Sequence, residues 1–541
     1  MSERKGMLLT ASSKETDGQT RGALRARRLA RIFLLCFALT SSAPAVSAQQ
    51  QAIDARLERA QELIRQQQLV RAEAELDAIL RAAPREANAL KMLGVIRAQQ
   101  QRMAEAEQLF LRAIKESPAM VGAYFNLALL YLEQHKSDRA LWALAEASKL
   151  APEQPEINYN LAAIYEERRD YERALQYLAK IPRPAQTVEY LYLSMKCYLS
   201  LGRQSEALAL SAPLKRRGAL TPDEAAGFAS LFIRNSLPDA AIEILEAARA
   251  QSPDSYALLY GLGASYARKE EWARAEEFYT AALAARPDDV LTLRELARVA
   301  RSRGELEKAL AHLLRARKLA PEDQAVLYDF GLTAMQMDLI LDALPVFERL
   351  QHLKPDEPVY LYMLALARFR HDEKAQAEAL IRRYIELRPS DPTGYYILGA
   401  ALNSTKRYLE ARKALEQSLA LGPSADVEYQ LGLISDTEGD TEGAVRWFER
   451  ALKSDPAHAG AHTALGTIYF KQNKYQSARD ELERAVQLNA RSLRAHYQLG
   501  LVYAKLGDKE RAQKMLDIAD RLRADERTQE TVGFKLIDPP Q

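Results

Sequence analysis

Residues 262–287 read LGASYARKEEWARAEEFYTAALAARP, and the alanine at their centre, Ala275, decides the fold. It is one of fourteen: Ala72, Ala106, Ala140, Ala174, Ala207, Ala241, Ala275, Ala309, Ala343, Ala377, Ala411, Ala444, Ala478 and Ala512. Eleven of the thirteen intervals are 34 residues and two are 33. A small residue at one fixed interval marks a supersecondary unit copied many times, with the same close helix contact in each copy.

The same unit appears on reading outward from each alanine. Twelve residues earlier stands a small residue, as at Gly94, Ala128, Ala162, Ala229, Gly263, Gly331, Gly399 and Gly466. A large apolar residue precedes it and a tyrosine often follows three later, as in Leu262 and Tyr266. These spacings share one helical face. Twelve residues after the alanine comes proline in most copies, for example Pro118, Pro253, Pro287, Pro389 and Pro456, which ends a second helix. Gly202, Gly304, Gly439, Gly507 and Asn473 stand between the two helices, where a first helix ends in a left-handed cap.

Leu262-Gly263, Tyr266, Ala275, Tyr279, Ala282 and Pro287 together resemble the tetratricopeptide repeat family. The resemblance implies an all-α, right-handed α-solenoid of about fourteen helix-turn-helix repeats, running from about Ile53 to Ala524. The register loosens where Pro182 and Pro184 replace one proline, Met195 takes the small-residue place, and Pro213 and Pro222 crowd a junction. The organisation expected is therefore an N-terminal subarray over 53–183, an irregular repeat over 184–221 that is either a bend or sequence drift without a hinge, and a C-terminal subarray over 222–526. A tail over 527–541 follows, whose apolar residues Val532, Phe534, Leu536 and Ile537 suit a cap on the last repeat or a tail that another protein grasps.

The chain of 541 residues is 48% hydrophobic and 27% charged, as in folded soluble proteins. Residues 1–48 read as a signal peptide and disordered leader. Arg21 to Arg31 form a basic region, Ile32 to Leu39 an apolar stretch, and Ala45-Val46-Ser47-Ala48 a cleavage site before Gln49. Eight apolar residues are too few to span a bilayer. The expected location is the periplasm or the exterior, with no membrane span after cleavage. The leader carries +5 of a total net charge of +2, so the remainder is −3. With both signs interspersed and Lys215-Arg216-Arg217 the main basic cluster, this is not the footprint of a nucleic-acid binder. After loss of Cys36, Cys197 alone remains; it can form neither an internal disulfide nor a thiolate zinc site, and it falls on a buried helix face.

In the resembling family the first helices line the concave side of the array, and their fifth position faces the groove. Here that position holds Phe125, Tyr159, Tyr192, Tyr260, Tyr328, Tyr362, Tyr396, Tyr429 and Tyr497. Such rings offer apolar area plus one polar contact, suiting extended peptide and also sugar. The sixth position holds Asn126 and Asn160, the two that match an asparagine ladder known from glycosyltransferase-associated repeats, besides Glu295, Asp329, Gln430 and Gln498. His458 and His462 are four apart, but no glutamate lies between them as a zinc protease motif requires. His462 and His496 share one repeat position. No phosphate loop, nucleophile elbow or paired-carboxylate motif appears, so neither catalytic residue, metal nor cofactor is expected.

The leading expectation is a non-catalytic scaffold that binds protein or peptide partners through the groove. The alternatives are a periplasmic component of polysaccharide synthesis or export, meeting glycan, and a substrate-holding array for a separate glycosyltransferase or other enzyme.

Overall fold

The computed structural model describes residues 48–216 and 220–526. The leader before Ala48, Cys36, the tail 527–541 and the side chains of Lys215-Arg216-Arg217 lie outside the described residues. Among the described residues there is no strand, and helices follow one another as antiparallel pairs. The first pair is Ala48–Arg65 with Leu69–Ala82, and the last is Leu493–Leu506 with Lys509–Glu526. Second helices pack on the first helix of their own pair, and within each compact unit most also pack on the first helix of the next, as Leu69–Ala82 does on Ala87–Gln99. This is the all-α solenoid the spacing implies. Two compact units divide the chain, one ending at Ala285 and the other beginning at Arg286.

All fourteen ladder alanines are buried, thirteen of them completely. Four residues beyond the alanine, and sixteen beyond the small residue of the first helix, comes the side chain that fills the pair. A Cβ placed on Gly94, Gly263, Gly331 or Gly432 would stand 2.5–2.7 Å from the ring of Phe110, Tyr279, Phe347 or Phe448. Where alanine replaces the glycine, the sixteenth residue is aliphatic instead, as in Ala128 with Leu144 and Ala229 with Leu245, all buried. The relation reverses once, where Met195 takes the small-residue place and Ser211 the filling one. Gly399, Gly466 and Gly500 face leucines instead, Leu415, Leu482 and Leu516, where a Cβ would stand 2.5–2.9 Å away. An aromatic filler thus stands only opposite glycine, as close packing demands, but glycine does not require one.

Between the two helices of every pair one residue has positive φ. It is glycine at Gly202, Gly304, Gly439 and Gly507, with φ of 73–86°, as the sequence implies. At ten other pairs it is not, as at Gln101 (φ 59°), Glu270 (φ 62°) and Asn473 (φ 60°). At the other end, Ala83, Ser117, Ala151, Ala320, Lys354 and Arg388 close their second helices by leaving the helical region, at φ near −130 to −140° and ψ of 64–87°. Proline follows each of them and excludes helical geometry there.

The irregular stretch has a local cause. The helix Tyr171–Leu178 is only eight residues long and is followed by one 3-10 turn, Arg183–Ala185, which comes directly after Pro182 and contains Pro184. The next second helix is split into Gln204–Ala209 and Ser211–Arg216. Cys197 is buried in Val188–Ser200, and burial pushes its thiol up to about 12.

Candidate functional site

First helices of successive pairs lie side by side within each compact unit, for example Ala48–Arg65 beside Ala87–Gln99 and Ala459–Lys471 beside Leu493–Leu506. Within each unit their fifth and sixth positions therefore form a row. Phe125, Tyr159, Tyr192, Tyr260, Tyr328, Tyr396 and Tyr429 are half-buried in this row, and Tyr497 is 38% exposed.

Tyr362 differs. It is 3% exposed and sits 6.0 Å from the Tyr384 ring. Its helix, Pro358–Arg370, buries eight consecutive residues from Tyr360 to Ala367. A helix apolar all round is covered on every side. Tyr362 is thus core rather than groove surface, a correction to the expectation for that residue.

The half-buried rings also carry structural load. Tyr260 lies 5.4 Å from Tyr279, Tyr328 6.5 Å from Phe347, and Tyr429 5.7 Å from Phe448. Each leans on the aromatic ring that faces a glycine of the same pair. Tyr192 rests edge-on against Phe228 at 5.4 Å. Burial holds the phenols of Tyr328 and Tyr429 above the ordinary tyrosine value and pushes Tyr396 up to about 12. These hydroxyls stay neutral at physiological pH.

Of the two asparagines, Asn160 donates through Nδ2 to the Glu156 carbonyl at 2.7 Å. Asn126 lines a small cavity with Val95, Ala98, Phe110, Leu129, Leu130 and Glu133. The histidines are tied into the framework. His458 caps Ala459–Lys471 by accepting from the Ala461 N–H at 3.0 Å, and its ring lies 4.8 Å from Tyr429. His462 Nδ1 meets Glu481 Oε2 at 2.6 Å, and His496 is buried. Among the described residues no group of three or more His, Cys, Asp or Glu is placed to hold a metal ion.

The row contains one feature that the tyrosine pattern hides. In the helix Val290–Ser302 the fifth position is Arg294. Arg294 Nε and Nη2 each lie 3.0 Å from Asp329 Oδ2, and Arg301 Nη1 lies 3.7 Å from Asp329 Oδ1. Burial opposes the Arg294 charge, but Asp329 beside it holds the guanidinium above its ordinary value. Opposite charges 35 residues apart, at the fifth and sixth positions of successive repeats, are the sequence signal for such a tie.

Among the described residues no helix is long and apolar enough to cross a membrane. Local stretches are 39% identical over 74 residues to the probable biofilm formation methyltransferase WspC of Pseudomonas aeruginosa and 42% over 57 residues to that of Pseudomonas putida. They cover 14% and 10% of this chain, and only 18% and 13% of those relatives. Similar solved structures include the anaphase-promoting complex hetero-tetramer Cut9–Hcn1, at 16% identity and a TM-score of 0.37, over 89% of this chain and 96% of that one. Yeast Tom70 is similar at 14% identity and a TM-score of 0.38, over 82% and 97%. Residues 336–418 match the family of anaphase-promoting complex, cyclosome, subunit 3. Tetratricopeptide repeat families match residues 466–507, 437–486 and 493–525. One such family matches 57–121, 125–189, 227–290, 294–358 and 406–459, more than half of the chain. This chain belongs to the tetratricopeptide repeat family.

Proposed function

We propose that this protein is a non-catalytic scaffold that captures protein partners along the row of first helices, and that it works outside the cytoplasm. The observation that supports this is the extent of the array. Stacked pairs account for the described chain from Ala48 to Glu526, and what they leave half-open is a ladder of aromatic side chains. Many modest contacts would supply affinity, with the more exposed rings as anchors. Export rests on the basic, apolar and small-residue order of residues 21–48.

The test is crosslinking in the native cell with the parent and with Tyr159→Ala/Tyr396→Ala/Tyr497→Ala, followed by identification of captured proteins. Loss of capture at unchanged helicity is expected; retained capture would overturn the assignment of the row. Binding to a glycan array without protein capture would move the reading to polysaccharide. N-terminal sequencing of the exported chain is expected to begin at Gln49, and an intact Met1 would refute cleavage.

A further inference from the structure

In the second compact unit the first helices Val290–Ser302 and Gln324–Gln336 lie side by side, and the row passes over both. At positions five, six, nine and twelve the former carries Arg294, Glu295, Arg298 and Arg301, and the latter Tyr328, Asp329, Leu332 and Met335. Spacings of four and seven put the three arginines on one helical face, and all three are half-buried. Three guanidiniums thus stand beside two carboxylates, a net of +1 in a partly desolvated place. The next first helix, Pro358–Arg370, brings Tyr362, Met363, Leu366 and Phe369 to the same positions and adds no acid.

The two carboxylates are shared unevenly. Asp329 Oδ2 is taken by Nε and Nη2 of Arg294, each at 3.0 Å, and Glu295 Oε2 by Nε and Nη2 of Arg298 at 2.9 and 2.6 Å. Arg301 has only Asp329 Oδ1 at 3.7 Å, beyond hydrogen-bond distance, although its side chain is 17% exposed. Among the described residues no hydrogen bond reaches its guanidinium. Asp323, a further acid near Arg294, is engaged in capping Gln324–Gln336 through the Ala325 and Val326 N–H groups. The Tyr328 hydroxyl also has no hydrogen-bond partner among the described residues. Burial and then Asp329 push that phenol up, while the Arg301 charge is near enough to oppose them. A guanidinium and a phenol on adjacent helices are thereby left with donors for an acceptor from outside. Taking a cation partly out of water is costly unless an anion pairs with it.

We propose that Arg301, with Arg298 and Tyr328 beside it, receives the carboxylate of an Asp or Glu side chain in an extended segment of the partner, and that Tyr328 and Leu332 carry the apolar residue next to that acid. The proposal rests on the reading of the first-helix row as the capture surface and specifies what the row selects at this repeat. A guanidinium matches a carboxylate through two parallel N–H···O bonds, which gives direction as well as attraction. Asp329, already neutralised by Arg294, does not repel the incoming acid as a free carboxylate would.

A bead-bound library of random peptides, acetylated at one end and attached through an amide at the other, tests the site on the full chain. Peptides selected by the parent are expected to carry Asp or Glu beside an apolar residue. Arg301→Gln is expected to bind them about tenfold or more weaker, and Tyr328→Phe about two- to tenfold weaker. Helicity is expected to stay unchanged, because neither side-chain end holds a hydrogen bond in the free protein. Selection on Arg301→Glu is expected to move from acidic to basic peptides. Arg382→Gln, the same charge change on the second helix Lys374–Leu387, is expected to leave binding unchanged. Peptides that are lost with Tyr396→Ala but show no acidic preference, or that bind Arg301→Gln as well as the parent, would overturn the carboxylate site and leave the row standing. Binding confined to a parallel library with free C-termini would overturn the side-chain assignment. Selection of nothing from either library would overturn the row together with the site.

Discussion

Gly263→Ala is the sharpest probe of how a repeat is filled. The added Cβ would stand 2.6 Å from Tyr279 Cδ1 and 2.8 Å from Cε1 and Cγ, well inside contact distance. Tyr279 cannot yield cheaply, being buried with Tyr260 5.4 Å away. Overpacking of this kind costs about 1–3 kcal/mol. Alanine returns about 1 kcal/mol by favouring the helix over glycine. The net expectation is a loss of up to about 2 kcal/mol. Tyr279→Leu alone opens a void and loses about 2 kcal/mol. The double variant recreates the combination found at Ala128 with Leu144 and is expected within about 1 kcal/mol of the parent, a coupling of about 2 kcal/mol. Trp272 lies in the same pair and reports locally by fluorescence during urea unfolding, once Trp142 and Trp447 are replaced by Phe. A local probe matters because long arrays need not unfold in one step. Additivity within about 0.5 kcal/mol would refute the volume-exchange argument.

Three further perturbations test other parts of the framework. Gln101→Gly relieves a left-handed residue and is expected to stabilise by about 0.5–1 kcal/mol in thermal unfolding, whereas Gly304→Ala at the equivalent turn is expected to destabilise by about 1 kcal/mol. Arg450 holds Glu428, which is 1% exposed, at 2.5 Å, and Ser454 donates to the same carboxylate at 2.7 Å. Arg450→Ala is expected to cost about 3 kcal/mol by urea denaturation; adding Glu428→Leu, the residue found at Leu259 and Leu327, is expected to restore most of it. Burial and the Glu107 carboxylate push Tyr131 up to about 12, above the ordinary tyrosine value of 10. Its contribution is complete below pH 10 and is lost as pH rises towards 12. Melting temperature is therefore expected to fall across that window, less steeply in Tyr131→Phe.

Much of this fold is legible because its contacts are periodic. The alanine interval, the facing glycines and the terminal prolines each mark a steric demand that few residue types meet. The left-handed turn is only partly legible. Gly202 and Gly304 announce it, but Gln67, Arg169 and Lys406 adopt the same φ without any compositional sign, because the packed helices on either side impose it. The row of aromatics is legible as a position, not as a surface. Nothing in the letter at 362 separates it from 396. What buries Tyr362 is the covering of a whole helix by its neighbours. The Arg294–Asp329 tie escapes a search for tyrosines because charge there replaces the ring.

The sixteen-residue partnership of small and filling side chains has one more consequence. Both members lie inside a single helix pair, so each repeat carries its own size code and owes nothing to its neighbours for that fit. Excising the stretch between one ladder alanine and the next joins the first helix of one repeat to the second helix of another and mixes their codes. Excision from proline to proline removes both members together. The permissible unit of duplication and loss in this array is therefore the whole hairpin, and lineages that change its length are expected to do so at the prolines.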